Sequence, residues 1–243
     1  MKLGLDLGST MIKAVLLSSE NNVIKTAQAP TAYNPKDTAL NLIQQLNANN
    51  IPTIATGYGR ALSGFKTITE ITCHAKGASL FNPHIKSLID IGGQDSKVIR
   101  IGENGSVDDF AMNDRCAAGT GSFLSAIAAK VGLTPEQLSD IQIENPKEIS
   151  STCIVFAESE VISYISAGIP REHVLSGILM SVARRITGLA RQTNAKGPFG
   201  MSGGGALYKS LINALSIELG EEVYCCSYPQ FAGAIGAAIY AKD

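Results

Sequence analysis

The sequence predicts an α/β protein of two similar lobes, each built on a central mixed sheet, facing one another across a cleft. The first observation behind this is an internal repeat. Residues 3–29, LGLDLGSTMIKAVLLSSENNVIKTAQA, and residues 87–112, SLIDIGGQDSKVIRIGENGSVDDFAM, share one pattern. In each, an apolar strand ends in Asp-apolar-Gly, a short polar turn follows, and a second apolar strand leads through another turn to a third. At one constant offset Asp6 matches Asp90, Gly8 matches Gly92 and Lys13 matches Lys97. The second observation is a length of 243 residues, enough for two modest lobes with a core each. The third is a further glycine turn, Met201–Ala206, between a short apolar segment and a helix expected from about Leu207. On this reading the first lobe covers 1–83 and the second 84–228, and a final helix at about 229–242 returns to the first.

Each turn has a geometric use. Gly8 and the pair Gly92-Gly93 let backbone amides approach a ligand closely, as a phosphate-cradling turn requires. Ser9 and Thr10 add hydroxyl donors, and Lys13 adds a positive charge where it points inward. Asp6 and Asp90 end their strands beside these turns, where a carboxylate could hold Mg²⁺ through water. Asn104-Gly105 is a hairpin signal. The turn at 201–206 suits close approach to a flat base or ribose. No G-x-x-x-x-G-K-[ST] occurs, which excludes a P-loop protein. One such turn alone is commonly just a hairpin; three, two of them duplicated, point to a nucleotide cleft.

Bulk properties narrow the class. A content of 45% hydrophobic and 17% charged residues describes a globular chain, and a net charge of −1 argues against a nucleic-acid binder. No apolar run reaches the roughly 18 residues that span a bilayer, and the start, MKLGLDLGST, meets an aspartate too early for a signal peptide. The expectation is a cytoplasmic protein acting on neither membrane nor nucleic acid. Five cysteines, an odd number, argue against a disulfide framework and leave buried thiols or metal ligands. Cys116 lies in MNDRCAAGTG, directly ahead of a glycine-interrupted turn and a helix expected over Ser122–Gly132. From those ten residues phosphate binding, nucleophilic attack and metal ligation all remain open. His74, His84 and His173 lack metal spacing and read as solvated or core histidines.

Taken together, DLGST at 6–10, DIGGQD at 90–95, SGGGA at 202–206 and AGAIGAA at 232–238 are similar to the phosphate motifs, adenosine motif and final connecting helix of the acetate and sugar kinase, Hsp70 and actin superfamily. That resemblance implies a duplicated, ribonuclease H-like (actin-like ATPase) fold. Within the superfamily, GYGR at 57–60, TEITCHAKGA at 69–78, MNDRCAAGTG at 112–121 and SSTCIVFAESEVIS at 150–163 resemble the activators of 2-hydroxyacyl-CoA dehydratases. These form one family with the ATPase subunits of benzoyl-CoA reductase. The resemblance covers nearly the whole chain.

The resemblance implies an ATPase coupled to one-electron transfer. ATP or ADP with Mg²⁺ would have its phosphates near Ser9, Thr10, Met11, Ile12 and Lys13 and near Gly92 and Gly93. Gln94 would position the attacking water, with Asp6 and Asp90 on the metal. The adenosine would lie against Gly203, Gly204 and Ala206, with Gln230 close by. The resemblance also implies one 4Fe–4S cluster per homodimer, each subunit giving Cys116 and Cys153. It further implies a partner CoA-ester dehydratase or reductase component, and an electron donor such as ferredoxin or flavodoxin.

The residue chemistry agrees. Two cysteines per chain cannot supply the four thiolates of a 4Fe–4S cluster, but a twofold axis doubles them. Each precedes an expected helix, Ser122–Gly132 and Ile154–Ala167, whose free amides and dipole would stabilise an anion. Gly119 and Gly121 would let the chain turn tightly under it. The CAAGTG turn is then expected to face the partner subunit, as an element separate from the phosphate turns. Cys73 reads as a buried thiol, and the neighbours Cys225 and Cys226 as structural, on opposite faces of a strand. Glu158 and Glu160 read as helix surface, or as residues near the cleft or dimer. A small-molecule kinase of the same superfamily is the alternative, but two short lobes leave little room for an acceptor site. A nucleotide-binding scaffold, the third class, leaves Cys116 and Cys153 unexplained.

Overall fold

The computed structural model describes residues 1–149 and 153–242. The chain forms two compact units, the first Met1–Ile85 with Ile101–Asp108 and Cys226–Asp243, the second Lys86–Arg100 with Asp109–Cys225.

The first unit opens with β1 (Lys2–Leu7), β2 (Met11–Leu17) and β3 (Val23–Pro30), then α1 (Pro35–Gln45), β4 (Thr53–Thr56), β5 (Lys66–Thr67) and α2 (Glu70–Phe81). Its sheet has the order β3-β2-β1-β4-β5. Alternation in β1 places Leu3, Leu5 and Leu7 in one core cluster with Leu42 and Ile43 of α1. The same alternation turns Gly4 and Asp6 to the opposite face.

The second unit carries β6 (Ser87–Ile91), most of β7 (Ser96–Ile101) and of β8 (Val107–Asn113), then α3 (Gly121–Lys130), α4 (Pro135–Ser139), α5 (Ile154–Ser166), α6 (Arg171–Gln192), β9 (Phe199–Ser202), α7 (Lys209–Leu219) and β10 (Val223–Cys225). Its sheet runs β10-β9-β6-β7-β8. Ile178, Leu179, Val182 and Ile186 of α6 are fully buried and recur at helical spacing, so this long helix is the spine of the second core. The chain then returns to the first unit as α8 (Ala232–Tyr240).

The two sheets repeat one plan. An antiparallel hairpin, β1–β2 or β6–β7, has its first strand parallel to a later one, β4 or β9. Asn104 and Gly105 both have positive φ, 57° and 73°, at the turn between β7 and β8, the geometry a two-residue turn of the Asn-Gly kind adopts. The helix after Cys116 runs Gly121–Lys130, and α7 starts at Lys209 after a short 3₁₀ turn over Gly204–Leu207; both boundaries differ slightly from expectation. Among the described residues no helix is long and apolar enough to cross a membrane.

The run AGAIGAA is small because α8 presses backbone to backbone on its neighbours. A Cβ on Gly236 would stand 1.8 Å from the carbonyl oxygen of Cys73 in α2, and one on Gly4 would stand 1.9 Å from that of Ala234. Backbone cannot rotate away as a side chain can. Gly236→Ala is therefore expected to destabilise the fold by about 3 kcal/mol, the upper range of overpacking costs. Urea unfolding checks this; an unchanged midpoint contradicts the packing account.

Candidate functional site

Within the first unit, Asp6, one residue before the end of β1, stands directly opposite Lys13 of β2. The Lys13 ammonium lies 3.6 Å from Asp6 Oδ2. The GYGR loop follows β4, the parallel neighbour of β1, and wraps this strand end: Gly59 N–H donates to Leu7 O at 2.8 Å, and Arg60 Nη1 donates to Gly57 O at 3.0 Å. A Cβ on Gly57 would meet Asp6 Oδ1 at 2.5 Å, and one on Gly233 of α8 would meet both His74 Nε2 and Asp6 Oδ2. Sequence reasoning missed that His74 and the GYGR loop gather around Asp6; the expectation of a core histidine holds, since His74 is buried. Ser9 and Thr10 sit in the β1–β2 turn, Thr10 exposed. Thr31 ties that turn to β3, its hydroxyl donating to Gly8 O at 2.7 Å. Met11 starts β2, whereas the Ile12 side chain belongs to the core, so only its main chain is available to a ligand. Gln230 lies half-buried in a 3₁₀ turn over Pro229–Phe231.

The second unit repeats the pair at greater depth. Asp90, one residue before the end of β6, stands opposite Lys97 of β7. Lys97 is 1% exposed, and its ammonium donates to Asp90 Oδ2 at 3.2 Å and lies 2.9 Å from Asp95 Oδ2. Ser202, at the end of β9, donates its hydroxyl to Asp90 Oδ1 at 2.7 Å. Both Asp90 oxygens are thus engaged by protein, which suits a metal held through water more than one bound directly. Gly203 follows with φ of 81°, and a Cβ there would stand 2.3 Å from Ile91 O. Gly204 is exposed and open on its Cβ side, whereas Ala206 is buried and offers main chain alone. Gly92, Gly93 and the exposed Gln94 form the β6–β7 turn.

One connection contradicts the expectation that the cysteine turn and the phosphate turn are separate elements. Gly121 N–H donates to Gly92 O at 2.8 Å, and Ser122 N–H donates to Gly93 O at 3.0 Å. The first amides of α3 are therefore spent on the Gly92-Gly93 turn and are not free for an anion beside Cys116. Glycine eases this approach, since a Cβ on Gly121 would stand 3.1 Å from Gly92 O. Backbone pairing between loops distant in sequence leaves no side-chain signature.

Cys116 is half-buried at the edge of a surface recess of about 540 Å³ that Asn113, Arg115, Arg185 and Gln192 also line. Cys153 is exposed and is the N-cap residue of α5, whose first-turn amides have no side-chain cap among the described residues. Ser150, Ser151 and Thr152 of the same motif lie outside the described residues. The other thiols contrast with these two. Burial pushes Cys73 up to about 12, a neutral thiol at any physiological pH. Cys225 is exposed as a residue, but its thiol donates to Ala206 O at 3.6 Å and desolvation raises it; Cys226 is buried. A half-buried thiol beside a polar recess and an exposed one at a helix N-terminus fit an anionic metal–sulfur centre; the deeply buried Cys73 does not.

Paired Asp-containing hairpins in two sheets of one plan, with glycine turns at the strand ends, define an actin-like ATPase. Residues 3–241 match the model of the BadF/BadG/BcrA/BcrD ATPase family, and the chain belongs to that family. The activator of lactoyl-CoA dehydratase from Anaerotignum propionicum is 40% identical over 251 residues, 99% of this chain and 97% of that one. Among solved structures, the activator of the 2-hydroxyisocaproyl-CoA dehydratase from Clostridium difficile, with bound ADPNP, has a TM-score of 0.91 at 37% identity, covering 99% of this chain and 93% of that one. Component A of the (R)-2-hydroxyglutaryl-CoA dehydratase from Acidaminococcus fermentans gives 0.91 at 38% identity, covering 99% and 96%. MreB 5 of Spiroplasma citri, 14% identical with a TM-score of 0.55 over 98% of this chain and 97% of that one, shares the fold alone.

Proposed function

We propose that this chain is an ATP-hydrolysing activator that delivers a low-potential electron to a partner metalloenzyme of the 2-hydroxyacyl-CoA dehydratase or benzoyl-CoA reductase type. The relatives named as activators favour this over a small-molecule kinase. The observation that carries it is the direct bonding of Gly92 and Gly93 to the helix that follows Cys116, because it joins a phosphate turn to a metal-type thiol.

In this reading MgATP is held by Ser9, Thr10, Met11, Ile12 and Lys13 of the first unit and by Gly92 and Gly93 of the second, with adenosine against Gly203, Gly204 and Ala206 and with Gln230 beside it. Main-chain amides of the glycine turns receive the phosphates, except that of Gly92, which donates to Asp95 O at 3.0 Å, and Asp6 and Asp90 hold Mg²⁺ through its water shell. Lys97 and Ser202 hold the Asp90 carboxylate in place, and Lys13 lies beside Asp6. Gln94, exposed on its turn, orients the attacking water. Cys116 and Cys153, with the same pair from a second copy, would hold a 4Fe–4S cluster. When bound, that cluster supplies a one-electron couple whose potential responds to hydrogen bonding and solvent around it.

Homodimer formation has support in α5, where Val155 and Phe156, just past Cys153, are 63% and 68% exposed. A soluble donor such as ferredoxin or flavodoxin completes the scheme. An anaerobic absorption spectrum tests the class, since a kinase or scaffold is colourless and this protein is expected to be brown. Gln94→Ala is expected to lower ATP turnover by about a hundredfold through loss of water positioning, with nucleotide binding retained. Unchanged turnover removes Gln94 from the mechanism.

A further inference from the structure

We infer that Asn113 is the positioning residue that fixes the Cys116 turn in its metal-binding form, an inference that rests on the reading of Cys116 as a ligand. Asn113 is the last residue of β8, so its main chain is anchored in a sheet. Its side-chain amide Nδ2 donates to the carbonyl oxygen of Cys116 at 2.9 Å and to that of Ala118 at 3.2 Å. The carbonyl between them, of Ala117, accepts from the Thr120 hydroxyl at 2.7 Å and from the Thr120 N–H at 3.1 Å. Three consecutive carbonyls are therefore pinned, two of them by one side chain.

Planarity gives this pinning a consequence at the sulfur. In a trans peptide the C=O of one residue and the N–H of the next point in opposite directions. Holding the Cys116 and Ala118 carbonyls toward Asn113 turns the N–H groups of Ala117 and Gly119 away from it. Amides one to three residues beyond a ligating cysteine are the groups that donate to metal-bound sulfur and raise a cluster's potential. Since Gly92 and Gly93 take the amides of Gly121 and Ser122, those nearer Cys116 are the ones left for this task. Gly119, at φ of +99°, lets the turn close between Asn113 and Arg185; a Cβ there would lie 3.5 Å from Arg185 Cδ and 3.9 Å from Asn113 Nδ2. Asn is specified over Asp at 113, because a carboxylate of the same shape would set oxygen against two carbonyl oxygens with no proton to share.

Asn113→Asp tests this, with Asn113→Ala as a second variant that removes the donor without adding charge. Under anaerobic conditions both are expected to release iron to a chelator about tenfold faster than the unmodified protein, the usual size of an outer-shell effect. Their clusters should also be harder to reduce, with about a tenfold lower reduced-to-oxidised ratio at one fixed potential, equivalent to roughly 59 mV. Loss of packing alone would not move a potential in that direction. In metal-free protein, alkylation of Cys116, followed by the mass of its peptide, is expected to be severalfold faster in both variants. Wild-type release rate, potential and alkylation in both variants overturn the inference. Faster alkylation in the variants of a protein that never binds iron leaves the clamp standing and removes the ligand reading instead.

Discussion

Cys116→Ala is expected to lose all bound iron, and with it electron delivery, while the variant still folds and binds nucleotide with nearly unchanged affinity. The reason for the second half is local. Alanine keeps the main-chain carbonyl that Asn113 grips, and the bonds from Gly121 and Ser122 to the phosphate turn are main-chain bonds too. What disappears is one thiolate in each subunit, so a cluster that needs four is left with two. Cys153→Ala should behave alike, although that residue is displayed differently, at the cap of α5. Cys225→Ala should affect neither property, since its thiol is spent on Ala206. Metal–thiolate bonds contribute directly to assembly, so the cysteine variants should also dissociate at lower dilution. Iron and sulfide analysis beside nucleotide titration checks the pattern. A full iron complement in Cys116→Ala contradicts it.

Lys97→Met is expected to destabilise the second unit by about 3–5 kcal/mol, the range seen when one partner of a buried charge pair is removed. Its ammonium is 1% exposed and touches Asp90 and Asp95; methionine fills the space but leaves Asp90 buried with only the Ser202 hydroxyl of these named partners. Lys13→Met, the matching change in the first hairpin, should cost much less. There the ammonium is 19% exposed and 3.6 Å from Asp6, so water replaces part of what is lost. Denaturant unfolding of the two variants side by side reads the difference. Equal costs would mean that the depth of Lys97 has no energetic consequence.

The contrast between those lysines shows what a sequence carries and what it does not. The matches of Asp6 to Asp90 and of Lys13 to Lys97 were legible as a repeat; that each Asp stands opposite its Lys is set by the register of the two hairpins. Burial was not legible, because it depends on what the rest of the chain packs over each hairpin, which the spacing within the hairpin does not record. The cysteine motifs pointed to Cys116 and Cys153, and the run at 232–238 pointed to a final connecting helix, since both are written in residue types; how closely that helix packs on α2 was not read. The joining of Gly121 and Ser122 to Gly92 and Gly93 is written in backbone groups that every residue possesses. For the same reason the gathering of Gly57 and His74 around Asp6 could not be read from spacing; it follows from β4 lying parallel to β1 and from α8 packing on α2.

Iron and acid-labile sulfide, measured on anaerobically purified protein together with its mass in solution, test the central claim most directly. Two cysteines per chain and one shared cluster predict a dimer with about four irons and four sulfides. Four irons on a monomer, or a colourless dimer with none after anaerobic reconstitution, would contradict it.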